Sequence, residues 1–225
     1  MSEKLIPSLF KLIEKLHLSQ RGALTHSEAT MSEMEEVSGS GYDNIEDATR
    51  VRAVTEAIAS LARLASKQLV QSLFSKVLQR LLEASQSEND LSEKMCMLLT
   101  LSQALVISES LDNSSISLLY RSLKPLIRTD QTKPRIQKRA YKVLAEICDR
   151  CIHFVQGDTN QLKDILELLS ASMATSQVSA RYMRIKCLNS IVRSLEAPSE
   201  GDKVCNHNYS SVICQFASTH LLFLF

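Results

Sequence analysis

The string Tyr141-Lys142-Val143-Leu144, followed by Ile147, recurs along the chain with its apolar positions kept. Shifted forward by 44 residues it becomes Ile185-Lys186-Cys187-Leu188 with Ile191, and shifted back by 45 residues it falls on Cys96-Met97-Leu98-Leu99. Apolar residues three and four apart mark one face of a helix. Each copy therefore predicts an amphipathic helix, and the three copies together predict an internal repeat.

A second series of helices alternates with the first. Leu73-Phe74, Leu119-Tyr120 and Ile165-Leu166 each open a helical stripe, and successive members lie 46 residues apart. Asp112 and Asp158 stand just before two of these stripes, where aspartate favours a helix N-terminus. Two helices in each period have the size of HEAT and armadillo units. The pattern predicts an all-α fold, a HEAT/armadillo-type α-solenoid of three to four helix pairs, with an irregular helical bundle as the alternative.

The composition agrees with a helical protein and argues against several kinds of enzyme. Glycine and proline number only five and four among 225 residues, so turn signals are scarce and few strands are expected. The motifs G-x-G-x-x-G, P-loop, H-E-x-x-H and G-x-S-x-G do not occur, and the five histidines are scattered. No stretch reaches the roughly 18 apolar residues of a membrane span. We expect a non-catalytic protein with no cofactor, no small-molecule substrate and no membrane span.

Four regions follow from the changes in pattern along the chain. Residues 1–18 predict an N-terminal helix, and residues 19–44 form an acidic linker rich in Ser and Thr, ending where Asp43 or Asn44 caps the next helix. Residues 45–196 contain the helical repeats. Residues 197–225 are a divergent apolar tail, without Asp, Glu, Lys or Arg from 204 onward. We interpret the tail as a terminus that replaces the next repeat, with peripheral membrane attachment as the alternative.

Positive charge is concentrated on two predicted helices, although the net charge of the chain is only +1. Eight basic residues between 121 and 142 face a single acid, Asp130, and a second basic group follows one repeat later. A row of cations favours a polyanion, because neutralising phosphates releases counterions. Docking of an acidic protein tail fits equally, and simple solvation of helix faces is the structural alternative. The candidate RNA-binding or partner-binding residues are Arg121, Lys124, Arg128, Lys133, Arg135, Lys138, Arg139, Lys142, Arg181, Arg184 and Lys186.

The cysteines predict packing and not a metal site. Cys148 and Cys151 form a C-x-x-C pair with His153 nearby, which is half of a zinc site by spacing. Both cysteines instead continue an apolar helical stripe from Leu144 to Val155, where a thiol packs as a small hydrophobe. The N-terminal sequence does not predict a signal peptide, so a reducing compartment is expected.

One set of segments resembles a known family. Ser122-Leu123-Lys124-Pro125-Leu126-Ile127 and Gln137-Lys138-Arg139-Ala140-Tyr141-Lys142-Val143-Leu144 resemble segments of the ribosomal RNA-processing protein twelve family, which are large nucleolar HEAT-repeat proteins. The opening segment from Leu5 to Leu12 is similar to others in the family. Since this chain is far shorter than its full-length members, a truncated fragment is expected.

The resemblance implies a scaffold in ribosome biogenesis. It implies processing of ribosomal precursor RNA, maturation and export of small-subunit precursors, a nuclear and nucleolar location, and ribosomal precursor RNA and assembly proteins as partners. The alternative is a karyopherin-like or other HEAT-repeat protein adaptor that does not bind RNA. Karyopherin-like factors hold basic cargo with acidic inner faces, whereas the helices predicted at 134–155 and 178–195 are basic.

Overall fold

A computed structural model describes residues 40–87, 91–128, 133–173, 175–176 and 178–196, together with Ser8, Lys11 and Lys15. Ser8, Lys11 and Lys15 are helical and exposed. Over residues 40–196 the structure describes eight helices: α1 Ser40–Leu64, α2 Lys67–Gln86, α3 Ser92–Ile107, α4 Asn113–Arg128, α5 Pro134–Arg150, α6 Ile152–Gln156, α7 Thr159–Ala171 and α8 Val178–Glu196. The described residues contain no strand, and the predicted all-α fold class is confirmed.

The chain divides into two compact units, with the boundary between Ser110 and Leu111. In the first unit, α3 packs against both α1 and α2. Residues 95–102 of α3 are buried without interruption, so its apolar surface is enclosed on every side. The side chain of Arg63 on α1 donates a hydrogen bond from Nη2 to the carbonyl of Ile107 at 2.9 Å, which satisfies a backbone acceptor at the end of α3.

The second unit stacks one helix pair on another. α5 packs against α4 and α8, while α4 also contacts α7, and α7 contacts α8. The helices that correspond across the 44-residue to 46-residue spacing therefore lie against each other, α4 with α7 and α5 with α8. This is the helix packing that the sequence period predicts within this unit. Assignment of the pairs to the HEAT type stays a prediction.

Local signals determine several helix ends as the sequence indicates. The Asp112 carboxylate accepts a hydrogen bond from the backbone N–H of Ser115 at 2.9 Å, and Asp158 accepts one from Asn160 at 2.9 Å. Pro134 occupies the start of α5, where its missing N–H costs nothing. These predicted caps are confirmed.

Two boundaries differ from the prediction. α1 begins at Ser40, inside the segment predicted as linker, so Asp43 and Asn44 lie in its first turns. The helix predicted through Val155 instead ends at Arg150, and the short α6 follows Cys151. A turn then closes at Gly157, where a Cβ would collide with the His153 carbonyl.

None of the described helices has the length and hydrophobicity that crossing a membrane requires. The predictions for residues 19–39 and for the tail at 197–225 lie outside the described residues.

Candidate nucleic-acid interface

α5 carries positive charge along the face that it turns to solvent. Arg135, Lys138, Arg139 and Lys142 recur at intervals of three and four residues, which places them on one side of the helix. The rest of its circumference is buried, including Ala140, Val143, Leu144, Ala145, Ile147 and Cys148. Arg135 and Lys138 are exposed, whereas Arg139 and Lys142 are half-buried.

α8 adds a further cation to this face. Burial lowers the pKa of Lys142 to about 8, and the charges of Arg139, Lys138 and Lys186 act in the same direction. Lys186 belongs to α8 and is the residue 44 positions after Lys142. The stacking of α5 on α8 therefore brings corresponding lysines of two repeats together, as the sequence predicts. We call Arg135, Lys138, Arg139, Lys142 and Lys186 the basic surface.

The basic surface occupies only part of the α5 face. Glu146 and Asp149 continue the same face toward its C-terminus. Glu146 pairs with Arg150 at 3.1 Å, and Asp149 accepts a hydrogen bond from Ser190 at 3.3 Å. A polyanion would therefore contact the N-terminal half of this face. The acidic end is visible in the sequence as residues four and seven positions after Lys142, but they fall just beyond the basic run.

Arg184 was predicted as a binding residue, and this prediction is wrong because the side chain is buried. Its Nη1 donates a hydrogen bond to the Leu169 carbonyl at 3.2 Å, in the last turn of α7. A cation is favoured there because the carbonyl end of a helix carries partial negative charge. Arg184 thus links α8 to the end of α7 and does not contribute to the surface.

Lys124, another candidate contact, forms an ion pair within the fold. Its Nζ lies 2.6 and 2.8 Å from the two carboxylate oxygens of Asp164 on α7. The Tyr120 hydroxyl donates to the same carboxylate at 2.7 Å. Desolvation alone would raise the pKa of Asp164, but the hydrogen bonds from Lys124 and Tyr120 outweigh it, and the pKa is lowered. The charge of Lys124 is therefore compensated within the fold.

The remaining candidates lie at the surface. Arg121 and Arg128 on α4, Lys133 just before α5, and Arg181 on α8 are exposed. The charge of Arg128 reaches Asp164, since it contributes to lowering the pKa of that carboxyl. Apart from the buried Arg184 and the ion-paired Lys124, the other nine of the eleven candidates are exposed or half-buried, and five of them form the basic surface.

Buried polar side chains that the sequence reasoning missed fix α5 in place. The Tyr141 hydroxyl donates to Ser172 Oγ at 2.7 Å and lies 2.9 Å from Ser176 Oγ, in the connection between α7 and α8. Gln137 Nε2 lies 3.3 Å from the carbonyls of Ile127 and Thr175. These bonds hold the orientation of α5, and with it the direction of the basic surface.

Two cysteines of this unit are packing residues. Cys148 and Cys187 are buried, and the Cys187 thiol lies 3.6 Å from the Tyr141 carbonyl. The pKa of Cys148 is raised chiefly by a hydrogen bond with Cys187 and also by burial, so its thiol stays protonated. Among the described residues, no cluster of His, Cys, Asp and Glu could hold a metal ion. The prediction that Cys148 packs in the core is confirmed.

The fold and this surface define a class of protein, a chain of paired helices with a localised basic face. No protein-family model matches the chain. Over 150 residues, 65% of this chain, the sequence is 31% identical to the human RRP12-like protein. Over 153 residues, 66% of this chain, it is 25% identical to the chicken RRP12-like protein.

The resemblance expected from the sequence is confirmed by these two relatives: this chain is similar to RRP12-like proteins. Each match covers 11% of the relative's length, so the chain corresponds to a small part of either protein.

Proposed function

We propose that this chain is a non-catalytic scaffold in ribosome biogenesis that contacts precursor ribosomal RNA through the basic surface. In this proposal it acts in precursor RNA processing and in the maturation and export of small-subunit precursors, in the nucleus and nucleolus. The similarity to RRP12-like proteins supports the process. The clustering of Lys142 and Lys186 beside Lys138 and Arg139 supports the contact.

The electrostatics of the basic surface favour a polyanion. Lys142 is half-buried, and its pKa is lowered by burial and by three neighbouring cations, Arg139, Lys138 and Lys186. A phosphate that binds there therefore relieves the repulsion among these cations and also releases counterions. Phosphate contacts of this kind position a backbone and carry no sequence information. The scaffold therefore binds RNA by its charge and shape.

The test reverses three charges of the basic surface and compares them with three charges elsewhere. The variant Arg135→Glu/Lys138→Glu/Lys186→Glu changes only exposed side chains. The matched control Lys67→Glu/Lys76→Glu/Arg80→Glu makes the same net change on exposed positions of α2. Binding of a single-stranded 20-nucleotide RNA is measured over a range of salt concentrations. We expect the slope of log K against log salt to flatten by about 2 in the first variant, near 0.7 for each phosphate that is no longer neutralised.

Two results would count against RNA contact at this surface. If affinity and salt slope stay at the wild-type values in the first variant, RNA does not contact the basic surface. If the control loses as much slope, net charge and not this surface governs binding. Circular dichroism on both variants verifies that the helices remain folded, since exposed substitutions cost under about 0.5 kcal/mol each.

A further inference from the structure

α8 places an exposed aromatic side chain beside the basic surface. The structure describes the side chains of five aromatic residues, and four of them are buried: Phe74, Tyr120, Tyr141 and Phe154. The fifth, Tyr182, is 69% exposed. An aromatic ring usually packs in the core, because burying it removes a large apolar area from water. Its place beside a charged surface makes Tyr182 a candidate contact for a ligand.

Tyr182 lies on the flank of α8 that borders α5. It precedes Lys186 by four residues, which places both side chains on the same side of the helix. Ser190 is a further four residues along and donates a hydrogen bond to Asp149 on α5 at 3.3 Å. This side of α8 is therefore turned toward the helix that carries most of the basic surface.

The period of the repeat gives the level of Tyr182 along α5. Lys186 and Lys142 are corresponding residues, and the charge of Lys186 acts on Lys142. The two helices run in the same direction, as the hydrogen bond between them further along both shows. Tyr182 precedes Lys186 by one turn, and its counterpart Lys138 precedes Lys142 by one turn. The ring therefore lies at the level of Lys138.

We propose that Tyr182 stacks on an unpaired base of the RNA whose phosphates the basic surface binds. The inference rests on the function proposed above, and it identifies the form of RNA as single-stranded. Every base has a π-face, so an aromatic ring can stack on any of the four bases once that base is unstacked from its neighbours. In a duplex the bases stack on each other, and such a ring has no base to contact.

The short distances between the ring and the cations favour this ligand. Residues four apart on a helix have Cβ atoms about 5–6 Å apart, and packed helices lie about 8–10 Å apart. Lys186 and Lys138 are therefore near enough to hold phosphates while Tyr182 contacts a base of the same strand. An apolar protein partner fits less well, because covering the ring would also desolvate these two cations.

RNA binding by variants of Tyr182 tests the proposal on the full chain. The probes are a 20-nucleotide RNA of adenine and cytosine only, which cannot pair with itself, and a 20-base-pair RNA duplex. We expect Tyr182→Ala to weaken binding of the single strand by about fivefold or more, the low end of what one stacked base contributes. The salt slope should stay at the wild-type value, because no phosphate contact is lost. Duplex affinity should not change, and Tyr182→Phe, which keeps the ring, should bind the single strand within about twofold of wild type.

Fluorescence gives a direct readout of stacking, since the chain contains no tryptophan. Tyr182→Trp introduces a single indole, which a stacked base quenches. We expect quenching by the single-stranded RNA and none by inorganic polyphosphate, which carries phosphates without bases. The control Leu82→Trp places an indole on α2 at a position that is 43% exposed, and RNA should not quench it.

Several results would overturn the proposal, and they separate it from the proposed function. If Tyr182→Ala binds the single strand as wild type does while reversal of the basic charges still flattens the salt slope, the basic surface stands and the stacking is wrong. Equal losses for single strand and duplex would mean that Tyr182 does not contact a base. Quenching of Tyr182→Trp by polyphosphate as strong as by RNA would have the same meaning. If the wild-type chain binds neither RNA, both proposals fail.

Discussion

Met97 of α3 and Lys142 of α5 stand at corresponding places in two repeats, 45 residues apart, and their surroundings differ. α3 packs against α1 and α2, and Met97 is buried with its neighbours on both sides. α5 packs against α4 and α8 but keeps one face at the surface, where Lys142 lies half-buried among other cations. The same place in the period holds a core residue in one unit and a charged residue in the other.

The difference shows how such a repeat acquires a charged surface. The apolar stripe that pairs the helices is kept in both places, with Leu98 and Leu99 in α3 and Val143 and Leu144 in α5 all buried. At the corresponding position, the side chain changes from the apolar Met97 to the basic Lys142. Charge and packing are therefore carried by different residues of one helix, and they can be changed separately.

The largest effect is expected from placing the lysine in the enclosed position. Met97→Lys buries a charge in α3, and we expect a loss of about 3 kcal/mol or more in the free energy of unfolding. Urea unfolding followed by circular dichroism measures it. The control Met97→Leu conserves the volume and should cost less than about 1.5 kcal/mol. A loss in Met97→Lys that is no larger than the loss in this control would mean that α3 is not enclosed.

Arg184 and Arg181 of α8 provide a comparison between a buried cation and one that faces solvent. Arg184→Ala removes a buried stem and the hydrogen bond to Leu169, and we expect it to cost about 2 kcal/mol of stability. Arg181→Ala changes an exposed side chain and should cost under about 0.5 kcal/mol. Chemical denaturation of both variants checks this. Equal losses would contradict the assignment of Arg184 to the core.

The contact between α4 and α7 should depend on pH through Asp164. Because its pKa is lowered in the folded state, the carboxylate stabilises the fold above its ordinary pKa of 3.8. That contribution is lost as the pH falls through the lower folded value. We expect Asp164→Asn to cost about 1 kcal/mol at pH 7, and the difference from wild type to vanish in acid. Denaturation at several pH values measures it.

The control for Asp164 lies on the same helix. Glu167→Gln removes the distant partner of Lys163, in an exposed pair at 3.9 Å, and should change stability by less than about 0.5 kcal/mol. If the difference between Asp164→Asn and wild type persists unchanged at the most acid pH, the carboxylate is not the source of the stability.

The smallest effect is expected from the reciprocal change on α5. The pKa of Lys142 is about 8 in the folded state and near 10.5 in the unfolded state, so between these values the unfolded chain binds more protons. Stability from this group therefore rises as the pH increases from 8 to 10.5. Lys142→Met should remove this rise and stabilise the chain at pH 7 by less than about 1 kcal/mol, because solvent screens a half-buried charge. Urea unfolding at pH 7 and pH 10 compares the two proteins.

The pairing of helices could be predicted from sequence because burial selects apolar residues at a fixed period. Arg184 could not be distinguished from its basic neighbours by charge alone. Its spacing from Ala180, Cys187 and Ile191 did place it on the buried stripe, so periodicity held the signal that charge concealed.

Other features depend on contacts between distant residues. The ion pair of Lys124 joins it to Asp164, 40 residues later, and no local pattern indicates such a partner. The end of α5 at Arg150 involves neither glycine nor proline, so the break before α6 was not predicted. The run of basic residues could be predicted from the sequence. The end of the basic surface at Glu146 could not, because it depends on which residues share the exposed face of α5.

Burial, together with the neighbouring cations, gives the amine of Lys142 a chemical character beyond charge. With a pKa of about 8, roughly one molecule in ten carries the neutral amine at pH 7, against about one in three thousand for an ordinary lysine. The neutral amine is a nucleophile, so we expect acylating reagents at neutral pH to modify Lys142 more readily than a fully solvated lysine of ordinary pKa. Acylation would also remove a positive charge that burial and the neighbouring cations Arg139, Lys138 and Lys186 disfavour.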